Sequence, residues 1–440
     1  MKKYLIYAMS LLLAGSVFSS CTNEEDDIFE ASPADRLNQA QEEYTKLLCK
    51  PANGWAMQYF ADNDNEGGYT FLMKFRDNTS VTIAGNNQWI GNTYKEETSM
   101  YELISDNGPV LTFNTFNDVF HIFSTPEDLP STSDNEAGYG HRGDYEFIVM
   151  DATDELITLK GKKTGIRVLM TPLAEGADWE TYLRELKAKG SQMFNSKIEP
   201  LILDVDGERY TITNATSGVL SLVPEGGDAI TETQLAPYLV NEFGIRLAKP
   251  FTGKDENFSI QSFTTGENGI LISNENGHNA IIKARPLAQL FNGQVARWII
   301  LPGELDANGN YPNLGGKFNE LYKVVVADTK TAIKSDFREM GFQYDGINDK
   351  YAIFSHNGKA RSLNYITENI VDDNTVKLAD LGEGDRNADN DKKRIPAIYE
   401  MVKFIASGEY TLSSENALTP AVMKLTSKSD ANNWCIIEVQ

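Results

Sequence analysis

The chain has 440 residues, with 63 acidic against 40 basic side chains and a net charge of −23 at neutral pH. That length gives room for two or three hydrophobic cores, and the acidic excess excludes the basic footprint that nucleic-acid binding requires. Three cysteines are too few for a disulfide scaffold.

Lys2 and Lys3 precede an apolar run from Leu5 to Val17, and the small pair Ser19 and Ser20 leads to Cys21. This is the layout of a secretion signal, and the run is shorter than the roughly 20 residues of a spanning helix, so residues 1–20 read as a cleaved leader. The order Phe18, Ser19, Ser20, Cys21 resembles a bacterial lipobox, which implies acyl chains on Cys21. An ordinary leader with an incidental cysteine is the alternative. Several chains, at roughly 0.8 kcal/mol per methylene, would make a lasting anchor where one is marginal. Glu24, Glu25, Asp26 and Asp27 follow within residues 21–31. They read either as a solvated acidic tether or, by resemblance, as the signal that sends Bacteroidetes lipoproteins to the outer face of the outer membrane. The expected location is the outer membrane, lipid-anchored and facing the exterior.

Residues 32–190 read as a helix followed by an antiparallel β domain. The helix runs over 32–50, with Ser32 and Asp35 as caps, Pro33 in the first turn, and Leu37, Tyr44, Leu47 and Leu48 on one face. Short β-branched and aromatic runs then alternate with Gly, Asn and Asp turns, from WAMQYF at 55 through VFHIF at 119 to IRVLMT at 166. Without intervening helices, they predict a meander that closes into a barrel or folds as a sandwich. A second helix is predicted over 178–190, stopped by Gly190. Residues 191–302 read as a mixed α/β middle region in which TETQLAPYLVNEFG, 231–244, is expected to be a helix. The turn-rich DANGNYPNLGGK after 302 marks a boundary. Residues 303–440 read as a β-rich region with VKFIASG at 402 as a strand and a loop at 380–391. The fold class is therefore mainly β with a few short helices (α+β). A bridge between Cys49 and Cys435 would tie the first helix to the last strand; two separate thiols are the other possibility.

NGWAMQYF at 53, GGYTFLMKF at 67, GPVLTFNTFNDVFHIFSTP at 108, GDYEFIVM at 143 and LKGKKTGIRVLMTPL at 159 resemble the Bacteroidetes lipoproteins grouped as domain of unknown function 4302. The resemblance implies an outer-membrane lipoprotein near the porin and glycan-binding lipoprotein pairs of nutrient uptake. It transfers no catalytic residue. Arg142 stands where that pattern would have a second glycine.

No HExxH, GxSxG or GxxxxGK[ST] is present, so no catalytic motif or cofactor is expected. His121 in VFHIF reads as a satisfied strand histidine. DNDNEGG, 62–68, spaces Asp62, Asp64 and Glu66 as a calcium loop begins, yet Met73 stands at its twelfth position and a strand follows. These three, like DRNADND at 385–391, read as solvated turns before metal ligands, and no metal is expected. Trp89, in GNNQWIGN between strands, is the ring placed to stack on a sugar; the other four tryptophans fall on strand or helix faces and read as core. The expected function is a surface binding or accessory module in glycan capture. A structural or adhesive protein contacting other proteins is the alternative, and a glycan hydrolase the third reading.

Overall fold

The computed structural model describes residues 33–440 apart from 107, 126–139, 255 and 294–296. Helix α1 (Pro33–Cys49) leads into a sheet of nine short strands: β1 (Trp55–Tyr59), β2 (Tyr69–Phe75), β3 (Ser80–Gly85), β4 (Lys95–Met100), β5 (Glu102–Ser105), β6 (Pro109–Thr112), β7 (Glu146–Ala152), β8 (Ile157–Gly161) and β9 (Arg167–Pro172). Their order is 4-3-2-1-9-8-7-6-5. Because β4 and β5 are separated only by Tyr101, the two ends of the curled sheet are halves of one bent strand. Tyr101 fixes the bend through its N–H to the Thr79 carbonyl at 2.9 Å and its hydroxyl to the Arg76 carbonyl at 3.0 Å. The barrel-like sheet wraps an aromatic core in which Tyr59 and Phe71 each meet Phe120 edge-on at 5.3 Å, the geometry that ring quadrupoles favour.

Helix α2 (Trp179–Met193) follows, with Asp178 accepting the Thr181 N–H as its cap. Two closed eight-stranded antiparallel barrels complete the chain. The first of them holds β10 (Leu201–Val205), β11 (Glu208–Asn214), β12 (Val219–Pro224), β13 (Gln234–Val240), β14 (Gly244–Phe251), β15 (Ile260–Thr265), β16 (Leu271–Glu275) and β17 (His278–Ala284). Its pattern is plain in β10, where Leu201, Leu203 and Val205 are buried and Ile202 and Asp204 are not. The short helix α3 (Leu287–Phe291) crosses to the last barrel, where Phe291 packs on Phe342 at 5.0 Å. That barrel contains β18 (Trp298–Ile300), β19 (Glu339–Asp345), β20 (Lys350–His356), β21 (Arg361–Asp372), β22 (Thr375–Gly384), β23 (Ser407–Ser413), β24 (Val422–Ser427) and β25 (Trp434–Val439). Helices α4 (Gly316–Ile333), α5 (Arg386–Arg394) and α6 (Pro396–Ile405) pack on it.

Several expectations are corrected. Residues 231–244 are not a helix: Gln234–Val240 is β13, and Pro237, which a helix interior rejects, pairs opposite Val219. Asn241 then turns the chain into β14 by accepting the Phe243 and Gly244 N–H groups, both at 2.9 Å. VKFIASG is the end of α6, whose Ile398, Met401, Val402 and Ile405 are buried at helical spacing. The loop expected at 380–391 is largely the end of β22 and helix α5, capped by Asp385 on the Ala388 N–H at 2.7 Å. Helix α2 runs past Gly190 to Met193. The last barrel begins before the expected 302 boundary, since Trp298 pairs with both Phe342 and Val439. His121 opens a 3-10 turn and not a strand, although it is satisfied: its ring meets the Asn117 N–H at 3.0 Å and the Phe113 carbonyl at 2.7 Å. Cys49 and Cys435 are free thiols.

Candidate functional site

A cleft of ≈ 780 Å³ opens where the first sheet, α2 and the first closed barrel meet. Two loops of the first sheet form one wall. In GNNQWIGN, Asn87 accepts the Trp89 and Ile90 N–H groups at 3.0 and 3.3 Å and Gly91 ends the short turn at φ 87°, so a capped turn fixes the backbone that carries Trp89. In DNDNEGG, the two glycines allow a close approach: the Gly68 N–H reaches the Tyr238 carbonyl at 3.0 Å, and a Cβ on Gly67 would lie 2.8 Å from the Gly218 carbonyl. The far wall is α2, which presents Leu183, Leu186, Lys187, Gly190 and Ser191 along one face.

The junction is fastened beneath the cleft. Phe60 and Ile166 of the first sheet pack with Leu239 and Ala248 of the barrel. Arg246, 2% exposed, lies over the Phe60 ring and donates to the Arg167 carbonyl at 3.0 Å. Burial first, then the Arg167 charge, pushes its guanidinium down to about 10.

Glu66 organises the polar side of the cleft. Its carboxylate accepts from the Tyr69 hydroxyl at 2.5 Å and the Trp89 indole Nε1 at 3.0 Å, and both its oxygens lie within 2.9 Å of His141 Nδ1. The side chains of His141 and Glu66 are 0% and 9% exposed. The Tyr69 hydroxyl oxygen also accepts a hydrogen bond from the Trp89 Nε1–H at 2.6 Å, and burial followed by the Glu66 charge holds its phenol far above the ordinary tyrosine range. Trp89 is therefore not the freely exposed ring its loop suggested. It is half-buried, edge-on to His141 at 4.4 Å, and still lines the cleft.

Asp62 and Asp64 do not join Glu66. Both face Lys249, at 3.4 and 3.3 Å, while Glu66 turns inward. Among the described residues no three His, Cys, Asp or Glu side chains cluster as a metal site. The lining is part apolar and part polar, and its polar part is mainly carboxamide and hydroxyl: Asn63, Asn65, Asn86, Asn87, Gln88 and Asn92, with Thr70, Thr216 and Ser217. Lys187 donates to Asn92 Oδ1 across the cleft at 3.1 Å. The Asn86 Oδ1 is buried without a partner. Sequence reasoning singled out Trp89 and Glu66 but missed the asparagines, whose density in the two loops was the available signal. Cys21, Glu24, Glu25, Asp26 and Asp27 lie outside the described residues.

The model of the family described as Domain of unknown function (DUF4302) matches residues 25–266, more than half of the chain. The chain belongs to this family. Every residue lining the cleft falls inside the DUF4302 span. No curated protein matches the chain. Among solved structures, the transferrin binding protein B of Neisseria meningitidis serogroup B is 10% identical with a TM-score of 0.13, over 87% of this chain and 68% of that one. A mutant of the same protein from Haemophilus parasuis gives 10% and 0.14, over 88% and 74%. A DnaN sliding clamp from Bartonella birtlesii bound to griselimycin gives 10% and 0.10, over 90% and 92%. Likenesses this slight carry no inference about fold or ligand. Among the described residues no helix is long and apolar enough to cross a membrane.

Proposed function

We propose that this protein is a cell-surface, lipid-anchored binding module that captures a neutral glycan in the Trp89 cleft. The observation that carries the reading is the lining: six carboxamides beside an indole, with the lining acid and the lining lysine both already partnered. Carboxamides carry donors as well as acceptors, as sugar hydroxyls do, although the Oδ1 atoms of Asn63, Asn87 and Asn92 are already engaged within the protein. The volume falls in the range of small-ligand sites, and an indole and a phenol supply apolar faces. Glu66 is the sole carboxylate among the lining residues, whereas glycoside hydrolysis ordinarily uses two; a binding role is favoured over a hydrolytic one.

A glycan array probed with the chain, its Trp89→Ala variant and its Trp89→Phe variant tests this. Capture of neutral glycans by the parent, lost in Trp89→Ala and weakened in Trp89→Phe, is the expected result. Phe keeps a ring but removes the Nε1 proton from Glu66 and Tyr69. An array on which the parent captures nothing, or on which Trp89→Ala captures as the parent does, would overturn the reading.

A further inference from the structure

The cleft does not end at Ser191. A second hollow of ≈ 380 Å³ lies beside it, and Ser191 and Thr216 line both. Both side chains are small and exposed, so they form a low saddle between the hollows and not a wall. The second hollow carries the same chemistry onward. Gln192, Asn195 and Ser196 continue the amide and hydroxyl lining, no charged side chain is among its lining residues, and Thr419 and Ala421 of the last barrel close its end. Its floor is fixed to that of the first, because Phe194 packs edge-on against Tyr238 at 5.3 Å.

The helix gives the length of the run. Residues of α2 from Leu183 to Gln192 line one hollow or the other, a distance of about 14 Å at about 1.5 Å per residue, and Asn195 and Thr419 lie beyond. A single sugar ring would leave most of this path empty. We propose that the ligand is an extended neutral oligosaccharide, bound lengthwise from Trp89 across the Ser191–Thr216 saddle to Thr419 of the last barrel. This rests on the glycan reading of the Trp89 cleft. Specificity then belongs to chain length as well as to sugar identity, and the last barrel contributes directly to binding.

Calorimetric titration of the full chain with linear neutral glucans, xylans and mannans, from disaccharide to octasaccharide, tests it. The bound series should tighten by about tenfold or more between disaccharide and hexasaccharide. Ser196→Trp, which fills the second hollow without touching the Trp89 cleft, should remove that gain and leave disaccharide affinity within about twofold. Gln192→Ala, exposed on the far side, should also weaken only the longer chains, and it decides the matter if Ser196→Trp does not fold. Affinity independent of length, or longer chains bound equally by parent and both variants, would overturn the extended ligand while leaving the Trp89 cleft standing. Failure of every sugar at every length would overturn both.

Discussion

Glu368 sits on β21 opposite Leu378 with both carboxylate oxygens buried and without a hydrogen-bond partner. Burial pushes its carboxyl from an ordinary 4.5 up to about 7, because a charge without partners is disfavoured out of water. Below about pH 4.5 the group is neutral folded and unfolded, so it imposes no charge penalty. As pH rises toward 7 the unfolded chain ionises first and stability is lost, levelling off above pH 7. Glu368→Gln should therefore raise stability by about 1–2 kcal/mol at pH 8, allowing for partial exposure, and leave it unchanged near pH 4. Urea unfolding at the two pH values checks this; an equal effect at both would remove titration as the cause. Other residues show what single positions disclose. Arg142 adopts φ 62°, the conformation glycine favours, as the family pattern suggested for its position. The Glu66–His141 contact, 75 residues apart in the chain, arises only once the sheet curls, and no local pattern announces it.

Between neighbouring elements at the cleft, Gly67 lies against the Gly218 backbone with no room for a Cβ. Gly67→Ala should force the DNDNEGG loop off the barrel, since the new methyl would meet backbone and not a yielding side chain. Overpacking of this kind costs about 1–3 kcal/mol. The expected outcome is a lowered melting temperature with faster proteolytic cutting between residues 60 and 70, and unchanged cutting would show that the loop absorbs the methyl. Strands with alternating burial, such as β9 within IRVLMT, were readable, as was the barrel-like first sheet. The misreadings share a cause: short windows cannot separate the two apolar periods. VKFIASG shows four apolar residues, enough for a strand, whereas the preceding Ile398 and Met401 complete a helical face. In β13 the apolar positions also fit a helix, and tertiary pairing decided against it. Helix α4 repeats the lesson, with Phe318, Tyr322, Val325, Thr329 and Ile333 buried along one stripe that the turn-rich stretch before it concealed.

For the molecule as a whole, anchoring and assembly are separable. The two closed barrels share one continuous core, whereas the first sheet keeps its own, so the cleft lies where two independently packed bodies are clamped together. The proposed anchor, Cys21, is not among the described residues. Cys21→Ala should move the protein from the membrane to the soluble fraction and abolish incorporation of a fatty-acid analogue, leaving glycan capture intact. Retained label or continued membrane fractionation would contradict the lipobox reading.

The closure of the sheets has a consequence for how partners can attach. In the two barrels every strand has a neighbour on each side. Where the first sheet ends, the Glu97 carbonyl of β4 receives the Asn117 amide at 3.2 Å, and the Leu103 carbonyl of β5 receives the Gln41 amide of α1 at 2.9 Å. One backbone carbonyl on each end strand is thus already engaged, which shortens the run open to edge-to-edge pairing. Strand addition, a common way of capturing peptides, has little to work with on this scaffold. Recognition on such a scaffold falls chiefly to side chains.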